Sequence, residues 1–331
     1  MDREIHATHL AEFRQRVYQT FNNRADTLME LLDTLSSNRD AQTVVELSLN
    51  PVFRRSYSTL FKGIAAGHLT EEGMGRLITP HLASPQERRY WLFGVDVTPQ
   101  RRQFAPCVAD RSYVYYPNAI KGNKPVTVGH QYATVGYLPE KTVETGSWIV
   151  PLLTSRVGSD EDKEMVGARQ MGQLLGDESH PFHGQLCVEA ADAAYSKPAY
   201  LHANLHHPNL VKIVRVRSNR VFYQSYQAAD DAEKGRGHPT WYGYRFALKE
   251  PDTWHEPGET VQTRYRSHRG KIYQVVIQAW HNMLMRGKRK PKRIPMLGTP
   301  AKPPQPRNNS GGRLPGTKLP PRKRYKVVKK G

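Results

Sequence analysis

Two aspartates occupy positions where a carboxylate is costly. Asp96 closes the apolar run "YWLFGVD" and Asp192 closes "QLCVEAAD"; each run reads as a strand buried on both faces, and small or turn-forming residues follow each acid. A carboxylate at the end of a strand in an α/β sheet lies where ligands bind, and an ionised one there needs a cation or hydrogen bonds. Two such acids can share a metal. Magnesium prefers oxygen donors, takes one or two carboxylates and accepts substrate phosphates in its remaining positions. In two-metal phosphoryl chemistry, ions roughly 3.5–4 Å apart stabilise both the attacking and the departing oxygen. The competing reading is that each aspartate caps a turn or a helix, the commoner fate of Asp after a strand.

Tyr195, Lys197, Arg215 and Arg217 follow the second acid closely enough to hold a phosphate backbone beside it, arginine by a bidentate pair and lysine as a point charge. Surface solvation or rim ion pairs would account for the cations equally well. The histidines of "HPFH" (His180, His183) and "HANLHH" (His202, His206, His207) lack the glutamate or cysteines of a zinc site and read as loop or surface residues. No phosphate-cradling glycine loop, serine elbow or dinucleotide fingerprint occurs.

The elements that must carry these residues can be read in outline. Leu10, Phe13, Val17, Phe21, Leu28, Leu31 and Leu35 recur at helical spacing, and further helices are expected around 41–49 and 53–66, separated at Pro51. From Arg89 the texture becomes aromatic and β-branched. A first strand closes at Thr98 and Pro99, two runs are divided by Gly122-Asn123, and "SWIVPLLTSRV" gives a fourth. Met165, Ala168, Met171, Leu174 and Leu175 then mark a helix stopped at Gly176. "QLCVEAAD", a short helix near 196–206 and "LVKIVRVRSNRVFY" follow; in the last, Val211, Ile213, Val214 and Val216 alternate with Lys212, Arg215 and Arg217. Residues 224 to about 288 are aromatic and β-leaning. The order is α/β.

Charge is concentrated at one end. Between Arg286 and Gly331 lie 16 Lys/Arg, no acid, nine prolines and six glycines, so only +3 of the net +19 belongs to the first 285 residues. Such a segment cannot bury enough surface to offset its ordering entropy, so disorder is expected there, with either polyanion binding or simple solubilisation as its use. Cys107 and Cys187 are far apart and form no metal or redox spacing, which fits a reducing compartment. With no signal-peptide order at the N-terminus and no stretch of ~20 apolar residues, a cytoplasmic, nucleoid-associated protein without a membrane contact is expected.

"LFGVDVTP", "KPVTVGHQYATVGYL", "VEAADAAYSKPAYL" and "KIVRVRSNRVFY", in this order, resemble transposases of the DDE superfamily, close to the insertion-sequence 4 and 701 types, over roughly residues 40 to 290. The resemblance implies an RNase H-like mixed sheet: a helical N-terminal region (1–88), a catalytic domain (89–223), a small β insertion (224–287) and the basic tail (288–331). It also implies that Asp96 and Asp192 are the first two acids of a triad that binds Mg2+ or Mn2+, with DNA as substrate. Cleavage of the element's ends and transfer of the freed 3′-hydroxyl to target DNA would follow. A homodimer on DNA is a further expectation, and the alternative is a DNA-binding remnant without catalysis.

The third acid of such a triad is a glutamate in a pattern Y-x2-R-x3-E-x6-K. Here Tyr242 and Arg245 begin the pattern, but Lys249 stands at the glutamate's place and Glu250 comes one residue late. Two readings remain. A frame change or truncation near residues 288–296 would explain the simultaneous loss of acidic and aromatic residues beyond it; otherwise Glu250, Glu256 or Glu259 would substitute.

Overall fold

A computed structural model describes residues 2–67, 71–116, 125–141, 148–226, 242–267, 270–286 and 292–293. The N-terminal spacing resolves into two helices, α1 (Asp2–Thr20) and α2 (Ala25–Ser37). They are divided at Arg24, whose left-handed φ of 51° turns the chain. Because the helix breaks there, only the middle of the predicted stripe faces inward: Val17, Phe21 and Leu28 are buried, while Leu10 and Leu35 are exposed. Two shorter helices, α3 (Val44–Leu47) and α4 (Tyr57–Ala66), precede α5 (Glu71–Ile78). Leu77 joins the cluster of Val17 and Phe21, and Ile78 packs on the main core. The Arg76–Asp177 ion pair (2.8 Å) and a Thr79–His180 hydrogen bond (2.9 Å) fasten this region to the body beyond it.

The main sheet is mixed. Its strands are β1 (Trp91–Arg101), β2 (Ser112–Tyr115), β3 (Val126–Tyr137), β4 (Val150–Val157), β5 (Cys187–Ala191) and β6 (Leu210–Val214). The spatial order is β2-β3-β1-β5-β6, with β4 also on β3. β1 to β4 pair antiparallel, whereas β5 runs parallel to both β1 and β6. The crossover from β4 to β5 is the helix α6 (Lys163–Gly176), and the short α7 (Pro198–His202) leads to β6. Antiparallel strands, a helix and then strands parallel to the first are the layout of an RNase H-like sheet.

β1 does not stop at Thr98 and Pro99. It continues to Arg101, with Pro99 opposite Gln131. The pairing with β5 ends at Val95, so beyond it β1 has a neighbour on one edge only, where proline's missing N–H is tolerated. Trp91, Phe93 and Val95 of β1, Val135 and Tyr137 of β3, and Ala168, Met171, Leu174 and Leu175 of α6 form the core. Met165 is turned outward, and Val166 is buried in its stead. Gly167 allows the helix to lie against β1, since a Cβ there would come within 2.7 Å of Val95 Cγ1.

The run "LVKIVRVRSNRVFY" forms two strands. β6 ends at Val214, and β7 (Val221–Ser225) joins β8 (Tyr242–Ala247), β11 (Leu284–Met285) and β12 (Lys292–Arg293) in a second sheet. That sheet therefore begins before residue 224. Phe246, Trp254 and Trp280 pack together beside it. Between β8 and β11, β9 (Glu259–Arg266) and β10 (Ile272–Ala279) pair as a separate two-stranded ribbon. The expected Gly122-Asn123 turn and the basic tail, apart from Lys292 and Arg293, lie outside the described residues. Among those residues no helix is long and apolar enough to cross a membrane.

The alternation in β6 runs opposite to expectation, since Ile213 is 59% exposed while the Lys212 side chain is buried. Lys212 lies opposite Glu189 in the parallel register, Nζ to Oε2 3.4 Å, and Glu189 is fully buried. Tyr200 donates its hydroxyl to Glu189, and Lys212 Nζ donates to the Tyr200 carbonyl at 2.9 Å. Burial pushes Glu189 up and Lys212 down in pKa, each against the pull of its partner. Removing one member of a buried pair strands the other charge, at ~3–5 kcal/mol. Lys212→Met should therefore lower the unfolding free energy by about 3 kcal/mol in urea titrations. The double variant Lys212→Met/Glu189→Leu should recover most of that loss.

Candidate active site

In the parallel pairing of β1 with β5, Trp91 lies opposite Cys187 and Val95 opposite Ala191. Asp96 and Asp192 are the next residues on each strand. Adjacent strands run ~4.8 Å apart, and both acids follow directly on the last in-register pair, Val95 with Ala191. Alternation along β1 buries Val95 under α6 and leaves Asp96 exposed on the opposite face. On the third strand Val214 lies opposite Ala191, and the Arg215 N–H donates to the Ala191 carbonyl at 3.1 Å. The exposed Arg215 is therefore level with Asp192.

Both carboxylates are oriented locally. Asp96 Oδ1 accepts from the Val97 N–H at 2.7 Å, and Asp192 Oδ1 accepts from the Ala194 N–H at 2.8 Å. The second bond caps the 3-10 turn Ala193–Tyr195. Asp192 is thus a cap of the turn, and the cap fixes its side chain.

Tyr195 is 2% exposed, so it is withdrawn from any surface that a phosphate backbone could reach. Among the described residues its hydroxyl has no hydrogen-bond partner. Burial first, then the charges of Asp96, Glu164, Asp192 and Glu189, raise its phenol above the ordinary range.

Lys197 is engaged by carboxylates. Its Nζ donates to Glu164 Oε2 at 2.7 Å and to Asp162 Oδ2 at 3.2 Å, joining the first turn of α6 to the segment after Asp192. Asp162, the N-cap of α6, is held down at about 2, chiefly by its hydrogen bond with Glu164. Burial, and then that same bond, raises Glu164, whose side chain is 4% exposed. For Lys197, burial pulls downward, but its two carboxylate partners prevail and raise it. Arg217 is exposed beyond Arg215.

Residues 16–282 match the family model described as DDE superfamily endonuclease. The chain belongs to that family. Among curated proteins none matches it.

A DDE endonuclease with the triad that the resemblance implies needs a third acid. Among the described residues no group of three His, Cys, Asp or Glu is placed to hold a metal ion. Glu250 is gripped by both guanidinium nitrogens of Arg245, Nη2 to Oε1 2.8 Å. Glu259 lies 3.5 Å from His281, and Glu256 is exposed. Among the described residues none of the three joins the two aspartates, so the alternative of a substitute acid from the insertion finds no support there. Of the histidines, His180 is buried and bonded to Thr79, a core role and not a surface one.

Sequence reasoning missed Glu164, Asp162 and Glu189. The signal for Glu164 was present, because positions 164, 168, 171 and 175 share one helix face. Glu189 likewise stands two residues from both Cys187 and Ala191, on the inward face of β5. With Lys197→Met, the folded-state pKa of Glu164 rises further above its unfolded value. From Glu164 alone, the deficit relative to wild type opens as pH rises through the wild-type folded pKa of Glu164, which already lies above its unfolded value of ~4.3, and grows until Glu164 ionises in the variant. Urea titrations of both proteins from pH 4 to 8 should show that growing deficit.

Proposed function

We propose that Asp96 and Asp192 together hold a divalent ion, Mg2+ or Mn2+, and that the chain is a transposase of the insertion-sequence 4 or 701 type, cutting DNA strands and joining the freed 3′ end to target DNA. The parallel register of β1 with β5, whose last pair immediately precedes both acids, carries this reading. Their chemistry fits the ion: both are oxygen donors on an exposed sheet face, and each is oriented beforehand by a backbone N–H. When bound there, the ion supplies charge neutralisation for in-line displacement at phosphorus.

The chain's own residues divide the remaining work. Arg215, level with Asp192, is suited to a bidentate grip on a phosphate of the DNA, and Arg217 extends the cationic surface. Lys197 acts by holding the turn that presents Asp192, through Glu164 and Asp162. Tyr195 supports the pair from beneath.

The reading is tested by divalent-dependent cleavage of DNA. Asp96→Asn and Asp192→Asn should each reduce the rate by ~10²-fold or more, as loss of a single electrostatic contributor to a transition state commonly does. Variants as active as wild type would reject the assignment. A second reading, a DNA-binding remnant without catalysis, is favoured by one observation: among the described residues no third carboxylate joins the pair. It is supported instead if wild type binds DNA with a steep salt dependence and leaves the strands intact.

A further inference from the structure

The ribbon of β9 and β10 is exposed along nearly its whole length: every residue of β9 and six of the eight in β10. An isolated two-stranded ribbon is marginal in water without a partner surface. Its register sorts the side chains onto two faces of different character. Arg266 opposite Ile272, Arg264 opposite Gln274, and Gln262 opposite Val276 share one face, to which Gln278 also belongs. Tyr265, Tyr273, Val261 and Ile277 share the other.

The first face carries two arginines and three glutamines. From Glu259 to Ala279 the sequence holds four Lys/Arg and one acid, and that acid, at the ribbon's base, lies 3.5 Å from His281. The charge therefore suits a polyanion. A surface made only to neutralise phosphates would need cations alone, but glutamines interleaved with arginines are the side chains that pair bidentately with adenine and guanine edges. Eight extended residues cover ~27 Å, and the major groove, about 12 Å wide, admits a two-stranded ribbon.

We infer that the β9–β10 ribbon lays its Arg264, Arg266, Gln262, Gln274 and Gln278 face into the major groove of duplex DNA and reads base sequence. It would thereby select the DNA presented to the Asp96–Asp192 site. This rests on the reading of that site as a DNA-cleaving one.

The test uses the full chain and a library of randomised 30-base-pair duplexes, selected for binding in EDTA so that no strand is cut. Wild type should enrich a motif. Arg264→Ala and Gln274→Ala should each lose about 5- to 100-fold of preference at one or two base positions. Arg264→Lys should lose the same position while retaining the salt dependence of binding, because it keeps the charge and loses the fork. Ile277→Thr, on the other face, should enrich the wild-type motif. The inference is overturned if wild type enriches no motif, or if the Arg264 and Gln274 variants enrich the wild-type one. It is overturned equally if those variants change only the sedimentation of the chain, which would make the ribbon a contact between copies. Mg2+-dependent nicking of supercoiled plasmid by wild type and Asp96→Asn, measured separately, reports on the aspartate site. Failure there leaves the library result to judge the ribbon alone.

Discussion

The parallel pairing of β1 with β5, in one particular register, is the constraint on which the rest depends. It buries Trp91, Phe93 and Val95 beside Cys187, Glu189 and Ala191, and Asp96 and Asp192 are the next residues after its last pair. Slipping either strand by one residue would send one acid into the core and the other to the surface.

Two charged networks brace the end of β5 that carries Asp192. Inside the sheet, Glu189, Lys212 and Tyr200 join β5 to β6 and to α7. At the start of α6, Asp162, Glu164 and Lys197 join the helix to the segment following Asp192. Tyr195 is buried and packs edge-on against Tyr200, ring centroids 4.8 Å apart. Neither the buried Glu189–Lys212 pair nor the exposed Lys197–Asp162 pair adds much net stability; together they hold the turn bearing Asp192 from two directions.

Much of this was legible in the sequence, and the exceptions have physical causes. The apolar runs ending in Asp96 and Asp192 marked β1 and β5, and the spacing of Ala168, Met171, Leu174 and Leu175 marked α6. The family match agrees with the DDE resemblance drawn from those blocks. Lys212 misled because alternation reads as apolar inside and basic outside, whereas the edge strand β6 turns Ile213 to an open face and Lys212 to Glu189. The break between β6 and β7 was hidden by continuous β-branched and basic residues, although Ser218-Asn219 held the turn signal; the Arg220 N–H donates to the Arg217 carbonyl there. Tyr195 and Lys197 read from the sequence as a grip on a phosphate backbone, whereas Tyr195 is buried and Lys197 pairs with Asp162 and Glu164, more than thirty residues earlier. No local pattern in "AAYSKP" announces them.

The central claim is that Asp96 and Asp192 act on one ion together, and Mn2+ binding to the full chain, followed by electron paramagnetic resonance, tests it most directly. In a double-mutant cycle, Asp96→Asn and Asp192→Asn should each remove most of the affinity, and the double variant should lose little more, because the acids serve a single site. Losses that simply add, or an affinity unchanged by either substitution, would contradict the account.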